Sequence, residues 1–245
     1  MNPRVVDLGC KSGAAMDEFR KKAPEYYGES ARAILPSECL GVDRSSDLAP
    51  DVRARGYGFL CLDLTAPGAH EKLPPADFYL AWDFLEHLPG KVWSDTVLAA
   101  ALEKAQAGVW LRMPNFEQDE RIGEGALRRM GLRFAWTHWK GHRSHYLTGD
   151  ALRAVIPHMV QAGLESIQIQ VKPRTYIHTT EDPWVVPIEA PVDTVRYHRD
   201  LAPKPVKRFD PPLVGQWDVV VVFRRSISRL PGLAEQSNPE LCSTP

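Results

Sequence analysis

Short apolar runs alternate with amphipathic segments along the first half of the chain. Five runs rich in aliphatic and aromatic residues have the length of buried strands, and they lie at residues 4–8, 39–43, 57–62, 78–82 and 109–113. Apolar residues at helical spacing between these runs predict helices at residues 14–22, 47–55 and 92–107. We expect Gly108 to end the last helix. Strands that alternate with helices predict an α/β fold with a parallel, doubly wound sheet.

The second half of the chain has a weaker pattern. A helix is expected to begin near Thr148, and Pro157 should kink or end it. Residues 166–171 alternate apolar and polar positions, and residues 217–223 are almost entirely apolar and β-branched. We predict that these two late strands pair as an antiparallel edge of the sheet.

The chain is predicted to form a single domain over residues 1–225. Residues 173–213 are rich in Pro and aromatic residues and are predicted to be an excursion inserted between the last two strands. Residues 226–245 have little apolar surface to bury and are predicted to be a disordered tail.

The composition excludes several classes of protein. Hydrophobic residues make up 44% and charged residues 25%, as in ordinary globular domains. The net charge of -1 argues against nucleic acid as a partner. Because no apolar run reaches about 18 residues, we expect neither a membrane span nor a signal peptide. Without a C-x-x-C pair, the cysteines are predicted to be reduced thiols of a cytoplasmic protein: Cys10, Cys39, Cys61 and Cys242.

The first predicted strand runs into a turn that contains two glycines, Gly9 and Gly13. Since glycine has no Cβ, a ligand can approach the backbone closely there. A strand, a turn and a helix in this order also place backbone N–H groups at the carboxyl end of a parallel strand, as nucleotide sites do. The same arrangement is a common structural unit, so the turn alone leaves both interpretations open.

An acidic residue ends or follows each of the first four strands. These residues are Asp7, Asp43, Asp63 and Asp83. Strand ends of a doubly wound sheet line one crevice, where ligands bind. A carboxylate at the end of the second strand can accept two hydroxyl hydrogen bonds from a ribose, and one after the third strand can accept from an adenine amino group. Any single acid could instead cap a helix, but the four together favour a ligand crevice.

Three motifs carry a resemblance to a known family. Residues 7–13, 41–43 and 81–88 resemble the first, second and fourth motifs of class I S-adenosylmethionine-dependent methyltransferases. The run Leu85-Glu86-His87-Leu88 is the most specific part. The resemblance extends over residues 3–172 and the late apolar strand. It implies a Rossmann-like methyltransferase fold, with a mostly parallel seven-stranded sheet and an antiparallel edge hairpin.

Two further segments, at residues 113–115 and 145–152, look like the small-molecule branch of that family. The resemblance implies S-adenosylmethionine as the cofactor, with its methionine part at the glycine turn, its ribose at Asp43 and its adenine at Asp63. Asp83 would form the floor near the sulfonium. The residues implied to bind the cofactor are Asp7, Gly9, Cys10, Lys11, Gly13, Asp43, Arg44, Asp63, Leu64 and Asp83.

Lys11 departs from the family pattern, which has glycine at the middle of the turn. Its ammonium either points into solvent or reaches the carboxylate of the cofactor. The first strand also begins almost at once, so a cover over the cofactor is expected from residues 115–146 and 173–213. The second of these segments is expected to form part of the acceptor pocket, with a dimer contact as the alternative.

Histidines are concentrated in residues 138–145, just before the helix at Thr148, and we call this stretch the histidine segment. His138, His142 and His145 suggest a metal site, but no acidic residue or cysteine completes the set nearby, so we expect no metal. A base is needed if the acceptor is a hydroxyl, and His87 and His145 are the candidates.

The sequence therefore predicts an enzyme that transfers a methyl group from S-adenosylmethionine to a small-molecule or glycan-type acceptor, with a homodimer as one candidate assembly. The first alternative is a methyltransferase-like binding subunit that has lost catalysis and serves a partner protein, which Lys11 keeps open. The second is a nicotinamide-dependent oxidoreductase. That class would more typically carry a G-x-G-x-x-G turn, and residues 85–88 would have no role in it.

Overall fold

The computed structural model describes residues 3–161, 166–191 and 204–224. The predicted tail at 226–245 lies outside these ranges. The strands are β1 (Val5–Leu8), β2 (Cys39–Asp43), β3 (Gly58–Cys61), β4 (Ala76–Trp82), β5 (Ala105–Pro114), β6 (Leu132–Phe134), β7 (Ser166–Thr179), β8 (Val185–Pro187) and β9 (Arg208–Arg224). The α-helices are α1 (Ala14–Tyr27), α2 (Ala49–Ala54), α3 (Lys91–Lys104), α4 (Gly125–Arg128) and α5 (Thr148–Gln161).

Seven strands form one sheet in the order β3-β2-β1-β4-β5-β9-β7. The first five of these pair in parallel. Strand β9 is antiparallel both to β5 and to β7, so the sheet ends in an antiparallel hairpin. The predicted fold class, a doubly wound sheet with an antiparallel edge, is confirmed.

The side chains of β4 show why both faces of the sheet are covered by helices. Phe78 and Leu80 pack with α1 and α2 on one face. Tyr79 and Ala81 pack with α3 and α5 on the other. A strand buried on both sides is continuously apolar, as residues 78–82 of β4 are.

Helix α1 extends farther than the prediction of residues 14–22, because it continues through Pro24 to Tyr27. The Tyr27 ring packs 4.7 Å from the ring of Phe78 and 6.0 Å from that of Phe19. This aromatic packing stabilises a last turn that a proline would otherwise weaken.

The prediction that Gly108 ends the third helix is wrong. Helix α3 ends at Lys104, and β5 begins at Ala105, which pairs with Ala76 of β4. Gly108 lies inside β5, where a Cβ would be 2.3 Å from Cε1 of Tyr27. The glycine is therefore needed because α1 packs closely on the sheet.

The late strands are longer than predicted. Strand β7 continues to Thr179 and β9 begins at Arg208, so both extend into the predicted excursion at 173–213. Helix α5 also continues past Pro157 to residue 161. Extended pairing between β7 and β9 supplies the backbone hydrogen bonds that a Pro-rich loop would lack.

A small second layer joins the two segments that were predicted to cover the cofactor. Strand β6 pairs with β8 in a two-stranded sheet. A separate apolar cluster then packs residues from both segments together: Phe116, Leu127, Leu132, Phe134, Trp136, Ile177, Val185 and Leu213, with Tyr176, Trp184 and Phe209 against them. Burial of these aromatic rings is what holds the second layer on the main sheet.

Cys10, Cys39 and Cys61 are free thiols, and Cys242 lies outside the described residues. Within the described ranges, every helix is too short or too polar to cross a lipid bilayer.

Candidate active site

A cleft of about 360 Å³ opens at the carboxyl ends of strands β1 to β4. This is the edge at which doubly wound sheets bind ligands. Most of the residues predicted to hold the cofactor line it: Gly9, Lys11, Asp43, Arg44, Asp63, Leu64 and Asp83. The parallel topology brings these residues together, although they come from four separate strands.

Three residues in the turn after β1 have a positive φ, the left-handed conformation that favours glycine. Gly9 has a φ of 68° and Gly13 a φ of 82°. A Cβ on Gly9 would lie 2.3 Å from Cδ2 of Phe84, so this position cannot carry a side chain. Lys11 adopts a φ of 48°, a conformation that glycine reaches without strain. Its side chain is exposed, and its backbone holds a glycine-type conformation at a cost in strain.

Asp7, Cys10 and Gly13 do not line the cleft, although they were predicted to bind the cofactor. Asp7 and Cys10 are buried beneath the turn. Burial, reinforced by the nearby Asp43, raises the pKa of Asp7 to about 8. Burial also raises the pKa of the Cys10 thiol, which faces Gly41 of β2. These residues support the turn from below.

Asp43 ends β2 and accepts two backbone hydrogen bonds. The N–H of Lys11 donates to Oδ2 over 3.3 Å, and the N–H of Ser45 donates to Oδ1 over 3.2 Å. The carboxylate therefore connects the glycine turn to the loop after β2 while one side faces the cleft. An anchored carboxylate of this kind can also accept hydroxyl hydrogen bonds from a ligand.

Asp63, after β3, is held by a local turn. Its Oδ1 accepts the hydroxyl of Thr65 over 2.7 Å and the backbone N–H of Thr65 over 2.9 Å. The hydrogen bonds from the Thr65 hydroxyl and backbone lower the pKa of Asp63. Asp63 thus stays ionised at the rim of the cleft, and the turn leaves its second oxygen for a ligand.

Asp83, after β4, has a φ of 49° and lines the floor of the cleft. Its two carboxylate oxygens accept Nε2 of Gln216 over 2.8 and 2.9 Å. Burial raises the pKa of Asp83. Gln216 belongs to β9, and no motif in the sequence identified it as a site residue.

The backbone N–H of Asp83 is hydrogen-bonded to a buried arginine. The N–H of Asp83 donates to the carbonyl of Arg112, whose guanidinium lies 3.6 Å from the centre of the Trp82 ring. Nε of Arg112 donates to Asp218 over 2.8 Å, and its terminal nitrogens donate to Glu18 over 3.2 Å. No pattern in the sequence indicated this network, because its members lie on four separate elements.

The two candidate bases lie in different surroundings. His87 lines the cleft, and its Nδ1 lies 2.9 Å from the carbonyl of Gly141. Since a carbonyl only accepts, Nδ1 donates and Nε2 carries the lone pair. Burial lowers the pKa of His87. His145 is exposed, does not line the cleft and stacks on Phe116 with ring centres 4.6 Å apart.

The acidic residue that the histidine segment lacks comes from the turn after β4. Glu86 is fully buried, and it lies with His87 and His142 so that one donor atom of each falls within 4.8 Å of the others. Burial raises the pKa of Glu86 well above its usual value, and burial lowers that of His142 to about 4. Of the three histidines that suggested a metal site in the sequence, only His142 belongs to this cluster among the described residues.

Comparison with known proteins gives similarity of fold. Neither a family model nor a curated protein matches the chain. One similar structure is a SAM-dependent methyltransferase from Archaeoglobus fulgidus, with 13% sequence identity, coverage of 91% of this chain and 86% of that chain, and a TM-score of 0.52. Another is an O-methyltransferase family protein from Burkholderia thailandensis, with 13% identity, coverage of 92% and 52%, and a TM-score of 0.50. The chain therefore has the Rossmann-like fold of class I S-adenosylmethionine-dependent methyltransferases.

Proposed function

We propose that this chain binds S-adenosylmethionine in the cleft and transfers its methyl group to a small-molecule or glycan-type acceptor. The observation that carries the proposal is the convergence of Asp43, Asp63 and Asp83 with the turn at Gly9 on one cleft. The fold shared with methyltransferases supports it.

Each part of the cleft suits one part of the cofactor. The turn at Gly9 and Lys11 offers backbone close to the ligand for the methionine part. Asp43, which lines the cleft, would accept the two ribose hydroxyls, and Asp63 with Leu64 would contact the adenine. Because a sulfonium is already activated, catalysis then depends mainly on holding the acceptor in line with the methyl group.

We expect part of the predicted cover to form the acceptor side of the cleft. Gly141 and Arg143, from the segment at 115–146, line the cleft beside His87. Among the described residues of 173–213, none lines it, and several pack against that segment instead. The role of 173–213 in the acceptor pocket, its alternative as a dimer contact, and the cytoplasmic location all stay predictions.

Calorimetry with S-adenosylhomocysteine, the demethylated product, tests the proposal. We expect binding with micromolar affinity and a single site per chain. The nicotinamide dinucleotide NAD serves as the comparison ligand, because the alternative oxidoreductase would prefer it. Tight binding of NAD without binding of S-adenosylhomocysteine would disprove the proposal.

A binding subunit without catalysis is the second candidate, and the strained Lys11 favours it. Both candidates predict cofactor binding, so methyl transfer must be measured separately. Incubation with radiolabelled S-adenosylmethionine and a panel of hydroxylated and amino small molecules distinguishes them. Transfer to any acceptor excludes the silent subunit.

A further inference from the structure

The cluster beside the cleft contains a buried carboxylate without a partner. Glu86 has no exposed surface, and neither of its carboxylate oxygens has a hydrogen-bond partner among the described residues. The nearest ring nitrogen, Nε2 of His87, lies 4.0 Å from Oε1, which is beyond hydrogen-bond distance. Burying a carboxyl group in this way is costly, whether it is ionised or protonated, unless another group compensates it.

The rings of the two histidines in the cluster are held in the same way, each by a hydrogen bond from Nδ1 to a backbone carbonyl. Nδ1 of His87 donates to the carbonyl of Gly141 over 2.9 Å, and Nδ1 of His142 donates to the carbonyl of Trp136 over 2.7 Å. Both rings therefore carry the lone pair on Nε2. A hydrogen bond from the second ring nitrogen to a carbonyl is the support that metal-binding histidines typically have.

The surroundings fix the three side chains relative to one another. The N–H of Ser144 donates to the carbonyl of Glu86 over 3.0 Å, which ties the histidine segment to the turn after β4. The ring of His142 lies 4.8 Å from that of His87 and 4.9 Å from that of Trp139, centre to centre. Ring packing and a backbone hydrogen bond therefore hold the three residues of the cluster close together.

We propose that Glu86, His87 and His142 form a binding site for a divalent first-row transition-metal ion such as Zn²⁺. Two imidazole nitrogens and one carboxylate oxygen are a donor set that such ions favour. The positive ion would compensate the buried Glu86 carboxylate, whose two oxygens have no hydrogen-bond partner among the described residues. The proposal does not depend on methyl transfer, because it concerns metal binding by these three residues.

The distances between the donor atoms show how far the side chains must move to bind an ion. Oε1 of Glu86 and Nε2 of His87 are 4.0 Å apart, and one donor atom from each of the three residues lies within 4.8 Å of the others. In a tetrahedral zinc site the donor atoms are about 3.3 Å apart, given bonds of about 2.0–2.2 Å. Small rotations of the side chains draw the atoms inward by the remaining distance. The side chain of His87 is 34% exposed, so the ion enters from the cleft.

A three-ligand site beside the cleft leaves one coordination position for a ligand, as catalytic zinc sites do. Water or a ligand oxygen could occupy that position. The metal role of His87 excludes the role of a base at the same time, because a metal-bound Nε2 has no lone pair for a proton. Metal binding therefore also decides between these two roles of His87.

The test uses the full chain, freed of any affinity tag, with Zn²⁺ and Co²⁺ as probes. Calorimetry with Zn²⁺ and the visible absorption of bound Co²⁺ report the affinity and the ligand set. We expect a single ion per chain and a rise in melting temperature with Zn²⁺, since a ligand that binds the native state stabilises it. Circular dichroism and thermal unfolding without metal are measured for each protein as the check of folding.

Two variants remove ligands and one serves as the matched control. Glu86→Gln keeps the shape of the side chain, and His142→Ala removes an imidazole. Each should weaken Zn²⁺ binding at least about tenfold. His145→Ala removes a nearby histidine outside the cluster and should bind Zn²⁺ as the wild type does.

The outcomes separate the metal site from the proposed function. No uptake of Zn²⁺ or Co²⁺ by the wild type overturns the metal site, as does equal uptake by Glu86→Gln and His142→Ala. Loss of binding in His145→Ala overturns it too, since the site would then lie elsewhere. Binding of S-adenosylhomocysteine has no bearing on these results, so either proposal can fail without the other.

Discussion

At the scale of single residues, Lys11 and Asp43 show how the cleft is fixed. Lys11 occupies the left-handed conformation that a glycine turn requires, and its N–H donates to the Asp43 carboxylate. The turn therefore depends on a strained backbone and an acidic partner from the next strand. Substitutions at the two positions separate these contributions.

Lys11→Gly should stabilise the fold by about 0.5–1 kcal/mol. A left-handed conformation costs an L-residue roughly 1–2 kcal/mol, and the greater flexibility of unfolded glycine offsets part of that gain. Urea unfolding at pH 7 measures the change. The matched control is Ser12→Gly, one residue on, where φ is not positive and the same substitution should destabilise. A destabilised Lys11→Gly variant would show that the Lys11 side chain makes a stabilising contact.

Asp43→Ala should weaken binding of S-adenosylhomocysteine by about 1.5–3 kcal/mol, or roughly 10- to 150-fold, because a charged acceptor of hydroxyl hydrogen bonds is lost. Calorimetry measures it, and thermal unfolding follows the fold. Asp47→Ala is the matched control, since Asp47 is exposed and does not line the cleft. Unchanged affinity together with a lower melting temperature would assign Asp43 a purely structural role.

At the scale of elements, the position of α1 on the sheet depends on one glycine. Gly108 of β5 lies under Tyr27, and a Cβ there would also be 2.5 Å from the carbonyl oxygen of Val221 in β9. The helix, the parallel part of the sheet and the antiparallel hairpin therefore meet at one point without room for a methyl group.

Gly108→Ala should destabilise the protein by about 1–3 kcal/mol, the usual cost of overfilling a packed core. Urea unfolding checks it. Gly149→Ala in the first turn of α5 is the control. A Cβ there would meet only Arg153 at 3.5 Å, so alanine should be neutral or slightly stabilising. Equal stability of the two variants would mean that the sheet and α1 can separate at no cost.

At the scale of the whole molecule, a charged network links helix α1 to the antiparallel hairpin. Arg112 of β5 joins Glu18 of α1 to Asp218 of β9, and Arg174 of β7 lies 3.4 Å from Glu18. Burial disfavours the ionised form of Glu18, but hydrogen bonds from Lys22 and Arg112 outweigh burial and lower its pKa to about 2. The ionised network therefore adds stability at neutral pH.

Because the pKa of Glu18 is lower in the folded state than its ordinary 4.5, this stability is present above pH 4.5 and is lost as the pH falls towards about 2. Glu18→Gln should lower stability at pH 7 by about 1 kcal/mol, since the group is partly exposed. The variant should also lose less stability than the wild type as the pH falls from 4.5 towards about 2. Urea unfolding at several pH values measures both effects. Exposed Glu25→Gln, in the same helix, is the control. A wild-type pH profile in Glu18→Gln would contradict the network's role.

The sequence by itself determined those features that depend on local order along the chain. The period of apolar residues defined β4, the β2 strand and the α/β class, and the strand-end acids Asp43 and Asp63 pointed to the edge at which the cleft lies. These features follow from alternation and helical spacing, which neighbouring residues express directly.

Only the tertiary structure decided which distant residues meet. Gln216 contacts Asp83 from 133 residues away, and Glu86 meets His142, because the register of β9 and the fold of the histidine segment place them there. The role of Gly108 likewise depends on a helix packed across the sheet. Such contacts leave no pattern along the chain, since they arise from strand pairing and packing between elements that are far apart in sequence.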